Sequence, residues 1–187
     1  MTGEARLEDV GSGLAPASEG WFVVNVRDAA WLTSEVFGAR CVFEAEYRLL
    51  RDRPDLEVRH FPQLGVRIAL LEPGTPSGMY HAESQQEDFL VLSGECVLIV
   101  EGEERPLRAW DFVHCPPGTE HVFVGAGDGP CAILMTGARA PDGEIVYPRS
   151  EAALRRGAGV ETETHSPHEA YSPFPHWQPG RPPELPF

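Results

Sequence analysis

A series of short apolar segments separated by turn residues occupies residues 65–137 and constrains the fold more than any other feature of the sequence. The segments read VRIALL, MYHAE, DFLVL, CVLIV, DFVHC, HVFV and CAILM. Turn residues such as Pro73-Gly74, Ser93-Gly94 and Pro117-Gly118 lie between them. Many short strands at regular spacing are typical of a sandwich or a barrel, whereas a βαβ architecture would need helix-length periodic segments. The sequence therefore predicts an all-β fold.

The N-terminal third of the chain is less regular. Residues 1–20 are rich in Gly, Ala, Ser and acids, which predicts a mobile tail, and they lack the apolar run of a signal peptide. The apolar segment from Trp21 to Val26 predicts a first strand, and Arg27 to Trp31 predicts a short helical turn. Residues Cys41 to Glu46 alternate apolar and polar side chains and predict a half-buried strand. The charged segment from Tyr47 to Leu64 predicts a loop.

The C-terminal region predicts one short helix followed by an extended arm. Ser150 is a favourable N-cap and Gly157 a favourable C′ residue, so we expect a helix at about residues 150–156. Seven prolines among the 21 residues that start at Pro167 argue against a further helix. Residues 158–187 could be disordered, but their interleaved aromatic residues favour an arm packed on the barrel or on a partner subunit. Residues 21–157 then form one barrel domain.

The charge of the chain limits its partners. With 29 acidic and 15 basic residues, the formal net charge is −14. Binding to nucleic acid or to an anionic membrane surface requires a basic footprint, so we expect neither partner. No apolar stretch approaches the roughly 18 residues of a membrane span. A small-molecule ligand remains compatible with this charge, because its binding depends on local charge.

The cysteines indicate a reducing compartment. Cys41, Cys96, Cys115 and Cys131 form no CxxC pair, so a zinc ribbon or a thioredoxin-like site has no support. We interpret them as reduced thiols and expect a cytoplasmic protein.

Four residues are candidate metal ligands: His81, Glu83, Glu87 and His121. In a strand, side chains at positions i and i+2 face the same way, so His81 and Glu83 point to one face of the MYHAES segment. Glu87 opens the next apolar segment and shares a face with its apolar residues. His121 follows the turn at residues 116–118. Two imidazoles and two carboxylates suit one divalent ion such as Mn²⁺ or Fe²⁺, and Zn²⁺ and Ni²⁺ also bind such sets.

The spacing of these residues resembles the two motifs of the cupin superfamily. The first cupin motif has His-x-His, three or four residues, Glu, six residues and Gly; here His81-Ala82-Glu83 is followed by three residues, Glu87, six residues and Gly94. The second has Pro-x-Gly, two residues and His; here Pro116-Pro117-Gly118 is followed by two residues and His121. The resemblance covers residues 65–137, the motif core. It implies a double-stranded β-helix, or jelly-roll, barrel with a metal at its open mouth.

The sequence departs from the cupin motifs at Trp110, which touches no ligand, and at Glu83, which is a ligand position. Trp110 stands where the second motif begins with Gly. Glu83 occupies the position of the second His in the first motif, which replaces a neutral nitrogen ligand with an anionic oxygen ligand. We therefore expect Glu83 to be the most easily detached of the four ligands.

A barrel without metal is the alternative. Glu83 and Glu87 would then face one cavity, where two ionised carboxylates repel each other and one must take a proton. A basic side chain such as Arg67 could neutralise them instead. A divalent cation leaves the site formally neutral, which favours the metal. Cys115 lies close to the second motif, and we expect it to be a small core residue rather than a ligand.

The resemblance leaves three functional hypotheses. The first is a metal-dependent enzyme that acts on a small organic molecule as a dioxygenase, isomerase or lyase, in which Glu83 or Glu87 detaches and acts as general base. The second is a non-catalytic module that binds a small molecule or a metal. The third is a metal-free structural barrel. Cupin barrels commonly dimerise, and the segment at residues 21–26 and the C-terminal arm lead us to expect a homodimer.

Overall fold

The computed structural model describes residues 3–182 and 184–186. The first two residues of the predicted tail, and Pro183 and Phe187 of the predicted arm, lie outside the described residues. The strands and helices in chain order are β1 (Leu7–Asp9), β2 (Leu14–Pro16), β3 (Ala30–Ser34), β4 (Gly38–Val42), β5 (Leu64–Leu71), β6 (Ala82–Glu83), β7 (Glu87–Ser93), β8 (Glu95–Val100), β9 (Glu103–Arg108), β10 (Phe112–Cys115), β11 (His121–Ala126), β12 (Cys131–Ala138), β13 (Ile145–Val146), α1 (Glu151–Arg155), α2 (Pro167–Tyr171) and β14 (Gln178–Pro179).

Two antiparallel sheets enclose the core. The larger has seven strands in the order β10-β7-β12-β5-β4-β3-β14, and the smaller has the order β11-β8-β9. Alternate residues of β7, Phe89 and Val91, are buried against Leu98 of β8 and Phe123 of β11 in one apolar cluster. The period of two puts one face of each strand in the core, as the apolar segments predicted. The all-β prediction is confirmed.

The N-terminal third differs from the sequence-based expectation. The expected mobile tail contains the hairpin of β1 and β2, and Val10 and Ala15 are buried there. Residues 21–26 form no strand, because Trp21 and Val23 are exposed and only Trp21 makes an isolated bridge. A turn at residues 26–28 leads directly into β3 instead of a helical turn at residues 27–31.

Two further strands lie where the sequence did not place them. The strand predicted at residues 41–46 begins and ends earlier, as β4, because its partner β5 pairs with residues 39–42. The strand β9 was not predicted. It forms the edge of the smaller sheet beside β8.

The first helix was predicted correctly and the second was not. Ser150 caps α1, with its hydroxyl accepting from the backbone N–H of Ala153, and Gly157 adopts a φ of +69° after its end. The prediction that residues from Pro167 onward exclude a helix is wrong. Pro167 occupies the first turn of α2, where its missing N–H costs nothing, and Ser166 supplies the cap. Among the residues that the structure describes, no helix is long and apolar enough to cross a membrane.

The C-terminal arm packs on its own chain. Phe37, which is almost fully buried, contacts the rings of Tyr171, Phe174 and Trp177 at centroid distances of 5.4, 5.0 and 6.3 Å. Beyond them, β14 pairs with β3. Aromatic packing therefore holds the arm against the barrel.

Candidate metal centre

The alternation of the barrel strands directs Glu87 and His121 into the interior. Glu87 begins β7 and shares a face with Phe89, and His121 begins β11 and shares a face with Phe123. Phe89 and Phe123 both belong to the core, so the two polar side chains point the same way. Glu87 is 8% exposed and His121 is 2% exposed. Two titratable groups are thus buried at adjacent strand ends.

Backbone pairing places His81 beside them. The N–H of His81 donates to the carbonyl of His121 at 3.2 Å, and the N–H of His121 donates back at 2.8 Å. Opposed residues of an antiparallel pair carry their side chains close together, and the two imidazole centroids lie 4.9 Å apart. The turn before β11 secures this arrangement, because the N–H of Gly118 donates to the carbonyl of Glu83 at 2.8 Å. The φ of +84° at Gly118 favours glycine.

Three potential ligand atoms converge at this point. Nε2 of His121 lies 3.4 Å from Oε2 of Glu87, and Nε2 of His81 lies 3.9 Å from the same oxygen. Ligand atoms of His81, Glu87 and His121 all lie within 4.8 Å of one another. Bonds of about 2.1 Å allow one ion to join donor atoms up to about 4.2 Å apart. Both distances to Glu87 fall within that range.

Hydrogen bonds orient the two imidazoles for metal binding. Nδ1 of His81 lies 2.8 Å from the carbonyl of Met79, and Nδ1 of His121 lies 3.0 Å from the carbonyl of Thr119. A carbonyl only accepts, so each Nδ1 carries the proton and each neutral ring presents the Nε2 lone pair toward Glu87. This backbone support of the far ring nitrogen is typical of metal-binding histidines.

The electrostatics of the pocket favour a cation there. Burial lowers the pKa of His81 to about 3 and also lowers the pKa of His121, which keeps both rings neutral. Burial raises the pKa of Glu87 to about 7, and the charge of Arg67 offsets only part of this desolvation. Two lone pairs and a carboxylate oxygen therefore face one another. This donor set fits a divalent ion.

The match to a family model identifies the barrel. Residues 67–137 match the model of the cupin domain. Residues 67–137 are therefore a cupin domain. Both motifs expected from the sequence fall in the matched region, so the resemblance and the double-stranded β-helix fold that it implied are confirmed.

Solved structures include similar barrels. A sugar phosphate isomerase of the cupin superfamily from Silicibacter pomeroyi is 24% identical to this cupin, with a TM-score of 0.51 over 66% of this chain and 79% of that chain. The polyketide cyclase RemF from Streptomyces resistomycificus is 16% identical, with a TM-score of 0.49 over 65% and 82%. An RmlC-like cupin from Methanocaldococcus jannaschii is 13% identical, with a TM-score of 0.41 over 46% and 78%. None of the curated proteins compared with this cupin matches it.

Glu83 lies at the edge of the cluster. Its Oε1 is 3.8 Å from Nε2 of His81, its side chain is 33% exposed, and the three-residue cluster does not include it. Burial and, after it, the charge of Glu87 raise the pKa of Glu83. Glu83 thus approaches His81 as closely as Glu87 does, but it does not belong to the group whose ligand atoms all lie within 4.8 Å of one another. Its assignment as a fourth ligand stays a prediction.

Trp110 stands at the position of the motif glycine and adopts a backbone conformation that glycine adopts easily. Its φ is +75°, in the left-handed region that favours glycine. Its N–H donates to the carbonyl of Val91 at 2.7 Å, which holds the turn between β9 and β10 against β7. The departure from the motif therefore affects a turn and leaves the three clustered residues in place.

The thiol and imidazole of the neighbouring strand β10 do not join the cluster. Cys115 is buried in the core, and burial raises the pKa of its thiol to about 11. The protonated thiol is a poor ligand, so Cys115 is the core residue expected from the sequence. His114 points to the other face, where its Nδ1 lies 2.6 Å from Asp88.

A cavity of about 160 Å³ opens next to Glu83 and Glu87. Its lining includes Glu44, Arg67, Thr136 and Arg139. Arg139 holds buried Glu44 through two bonds of 2.7 and 2.8 Å. We did not predict this pair, because its members are 95 positions apart and neither belongs to a motif.

Proposed function

We propose that this cupin is a metal-dependent enzyme that moves a proton on a small organic molecule, in an isomerase or lyase type of reaction. His81, Glu87 and His121 hold one divalent ion, and Glu83 acts as the general base. The observation that carries the proposal is the separation of roles in the geometry. Three side chains converge, and a fourth carboxylate lies beside them with access to the cavity.

The properties of Glu83 support the role of base. A general base works best when its pKa is close to the working pH, and burial together with the charge of Glu87 raises the pKa of Glu83 above its usual value. A bound divalent ion would polarise a carbonyl or hydroxyl oxygen of the substrate and so acidify the adjacent C–H group. Glu83 then accepts that proton on its carboxylate and returns it to a neighbouring atom. Glu87 stays with the two histidines instead of detaching, because it is the more buried carboxylate.

The cavity supports a small substrate. Its volume of about 160 Å³ is below the range of about 300–1,000 Å³ that drug-sized ligands need. Its lining is mainly polar, with Arg67 and Arg139 near the two glutamates. Such a surface suits a hydroxylated or anionic compound better than an apolar one.

Metal loading and proton exchange test this proposal together. Protein purified without chelator should carry about one divalent ion per chain, and we expect it to exchange carbon-bound protons of small hydroxy acids or hydroxy ketones with D₂O, followed by NMR. Chelation should abolish exchange and added Mn²⁺, Fe²⁺, Zn²⁺ or Ni²⁺ should restore it. Oxygen uptake with phenols or thiols, without exchange, would favour the dioxygenase type. A ligand-induced thermal shift without turnover would favour a non-catalytic binding module.

We also propose a cytoplasmic homodimer. All four cysteines are free and buried, which supports a reducing compartment. The large sheet ends at β10, whose neighbouring side chains Trp110 and Phe112 are 74% and 64% exposed, and an apolar sheet edge of this kind favours pairing with a second copy. Light scattering at micromolar concentration should give twice the chain mass of 20.6 kDa. A monomer mass would reject the dimer.

A further inference from the structure

A cluster of arginines adjoins the metal centre of this acidic chain. Two neighbouring cavities of about 520 and 700 Å³ share Arg40, Arg48, Arg67 and Trp177 in their linings. We call them together the arginine pocket. Arg67 also lines the smaller cavity beside Glu83 and Glu87. Arg67 and Glu46 therefore line both the arginine pocket and the cavity beside the metal centre.

Protein groups satisfy only some of the hydrogen-bond donors and charges of the guanidinium groups in this pocket. Arg40 binds Glu46 at 2.9 Å and stacks over the ring of Trp177 at 4.5 Å, but its buried Nε has no hydrogen-bond partner. The side chains of Arg48 and Arg67 form no hydrogen bond or salt bridge within residues 3–182 and 184–186. Burial first, and the charges of Arg67 and Arg48 as well, lower the pKa of Arg40 to about 10.

Three arginines held together with one paired carboxylate, that of Glu46, indicate an anion-binding site. The chain has almost two acids for each base, so acidic side chains were available to neutralise the cluster. Arg40 and Glu46 cancel, and Arg48 and Arg67 carry two positive charges that no carboxylate contacts by a hydrogen bond or salt bridge in the described residues, although the charge of Arg67 also acts on Glu83 and Glu87. A dianion offsets both. Guanidinium groups match the oxygens of a phosphate with paired N–H donors, and a phosphate monoester carries close to two negative charges at neutral pH.

We propose that Arg48 and Arg67 bind the phosphate group of a phosphorylated small-molecule substrate, whose other end reaches the metal centre. The contact between the substrate and the metal centre rests on the proposed function. Arg40 supports the subsite by its stacking on Trp177 and offers its free Nε–H to a phosphate oxygen. The C-terminal arm contributes to binding, because it supplies Trp177 and closes one side of the arginine pocket.

Calorimetric titration with inorganic phosphate and with glycerol phosphate tests the subsite without relying on turnover. We expect both to bind the wild-type protein, and the double variant Arg48→Met/Arg67→Met to bind at least about a hundredfold more weakly, about tenfold for each lost charge-assisted contact. Arg105→Met, on the exposed strand β9, is the matched control and should bind as the wild type does. Thermal melting should show that all three proteins are folded, since the replaced side chains are exposed.

The outcomes separate this inference from the proposed function. His121→Ala should lose the metal and keep phosphate binding, because His121 does not line the arginine pocket. Metal binding without any phosphate binding would overturn the subsite and leave the metal centre standing. Unchanged phosphate affinity in the double variant would also overturn it. If lactate binds as tightly as glycerol phosphate, the pocket takes carboxylates and the phosphate assignment is wrong.

Discussion

Replacing His121 with alanine is expected to abolish metal binding. His121 Nε2 is the nitrogen nearest to Glu87, at 3.4 Å, and its side chain is 3% exposed, so water cannot easily take its place. Removing only the residue that hydrogen-bonds to a metal ligand weakens metal affinity about 10–100-fold. Removing the ligand itself should weaken metal affinity further. The metal content, measured by mass spectrometry, should fall from about one ion per chain to below about a tenth of an ion per chain.

Thermal melting provides a second measurement of the same change. An ion at 100 times its dissociation constant stabilises the folded state by about 2.7 kcal/mol, so the wild-type protein should melt at a higher temperature when metal is added. His121→Ala should show no such increase. His114→Ala is the matched control, because His114 lies nearby in the sequence but on the other face of β10, beside Asp88. Equal metal content in wild type and His121→Ala would contradict the assignment.

The sequence predicted the interior of the barrel well because a period of two determines which side chains share a face. Glu87 shares a face with Phe89, as expected, and His121 shares a face with Phe123. The cluster also required a backbone contact between His81 and His121, which are 40 positions apart. Only the motif spacing indicated this contact. The alternation along each strand thus predicted which way a side chain points. The family resemblance predicted which side chains lie close together.

The secondary-structure predictions were wrong where an edge strand or a helix cap permits a structure that the amino-acid composition disfavours. The strand β9 has the sequence EERPLR, which is charged and contains Pro106, yet an edge strand tolerates a proline whose missing N–H would face solvent. The helix α2 forms because Pro167 falls in its first turn and Ser166 caps it. The apolar segment at residues 21–26 looked like a strand, but it has no partner strand to complete its hydrogen bonds.

The arginine pocket lay outside the range of sequence reasoning for a different reason. Arg40 and Arg48 lie on β4 and in the loop after it, whereas Trp177 belongs to the C-terminal arm. The three residues meet only because β14 pairs with β3 and draws the arm across the barrel. Arg67 was considered as a neutralising group for the two glutamates, and the structure places it between them and the other arginines. The pairing of strands that are distant in sequence determines which residues form such a site.

The variant Glu83→Gln separates the two roles that a carboxylate beside a metal can have. The amide keeps the shape of the side chain but cannot accept the substrate proton. If Glu83 is the general base, proton exchange on the substrate found in the D₂O panel should slow about 10²–10⁴-fold. The metal content should stay at the wild-type value, because His81, Glu87 and His121 remain. Glu144→Gln, an exposed neighbour in the loop before β13, should change neither quantity.

The pH dependence of exchange distinguishes a base from a residue with a merely structural role. A general base must be ionised, so the wild-type rate should rise with pH as Glu83 loses its proton. Burial and Glu87 raise the pKa of Glu83, whereas a bound divalent ion would lower it, so the position of the rise on the pH scale reports the balance of the two effects. The rise should disappear in Glu83→Gln. Loss of the metal together with activity would instead make Glu83 the fourth ligand, because removing a group that only accepts protons leaves the ion in place.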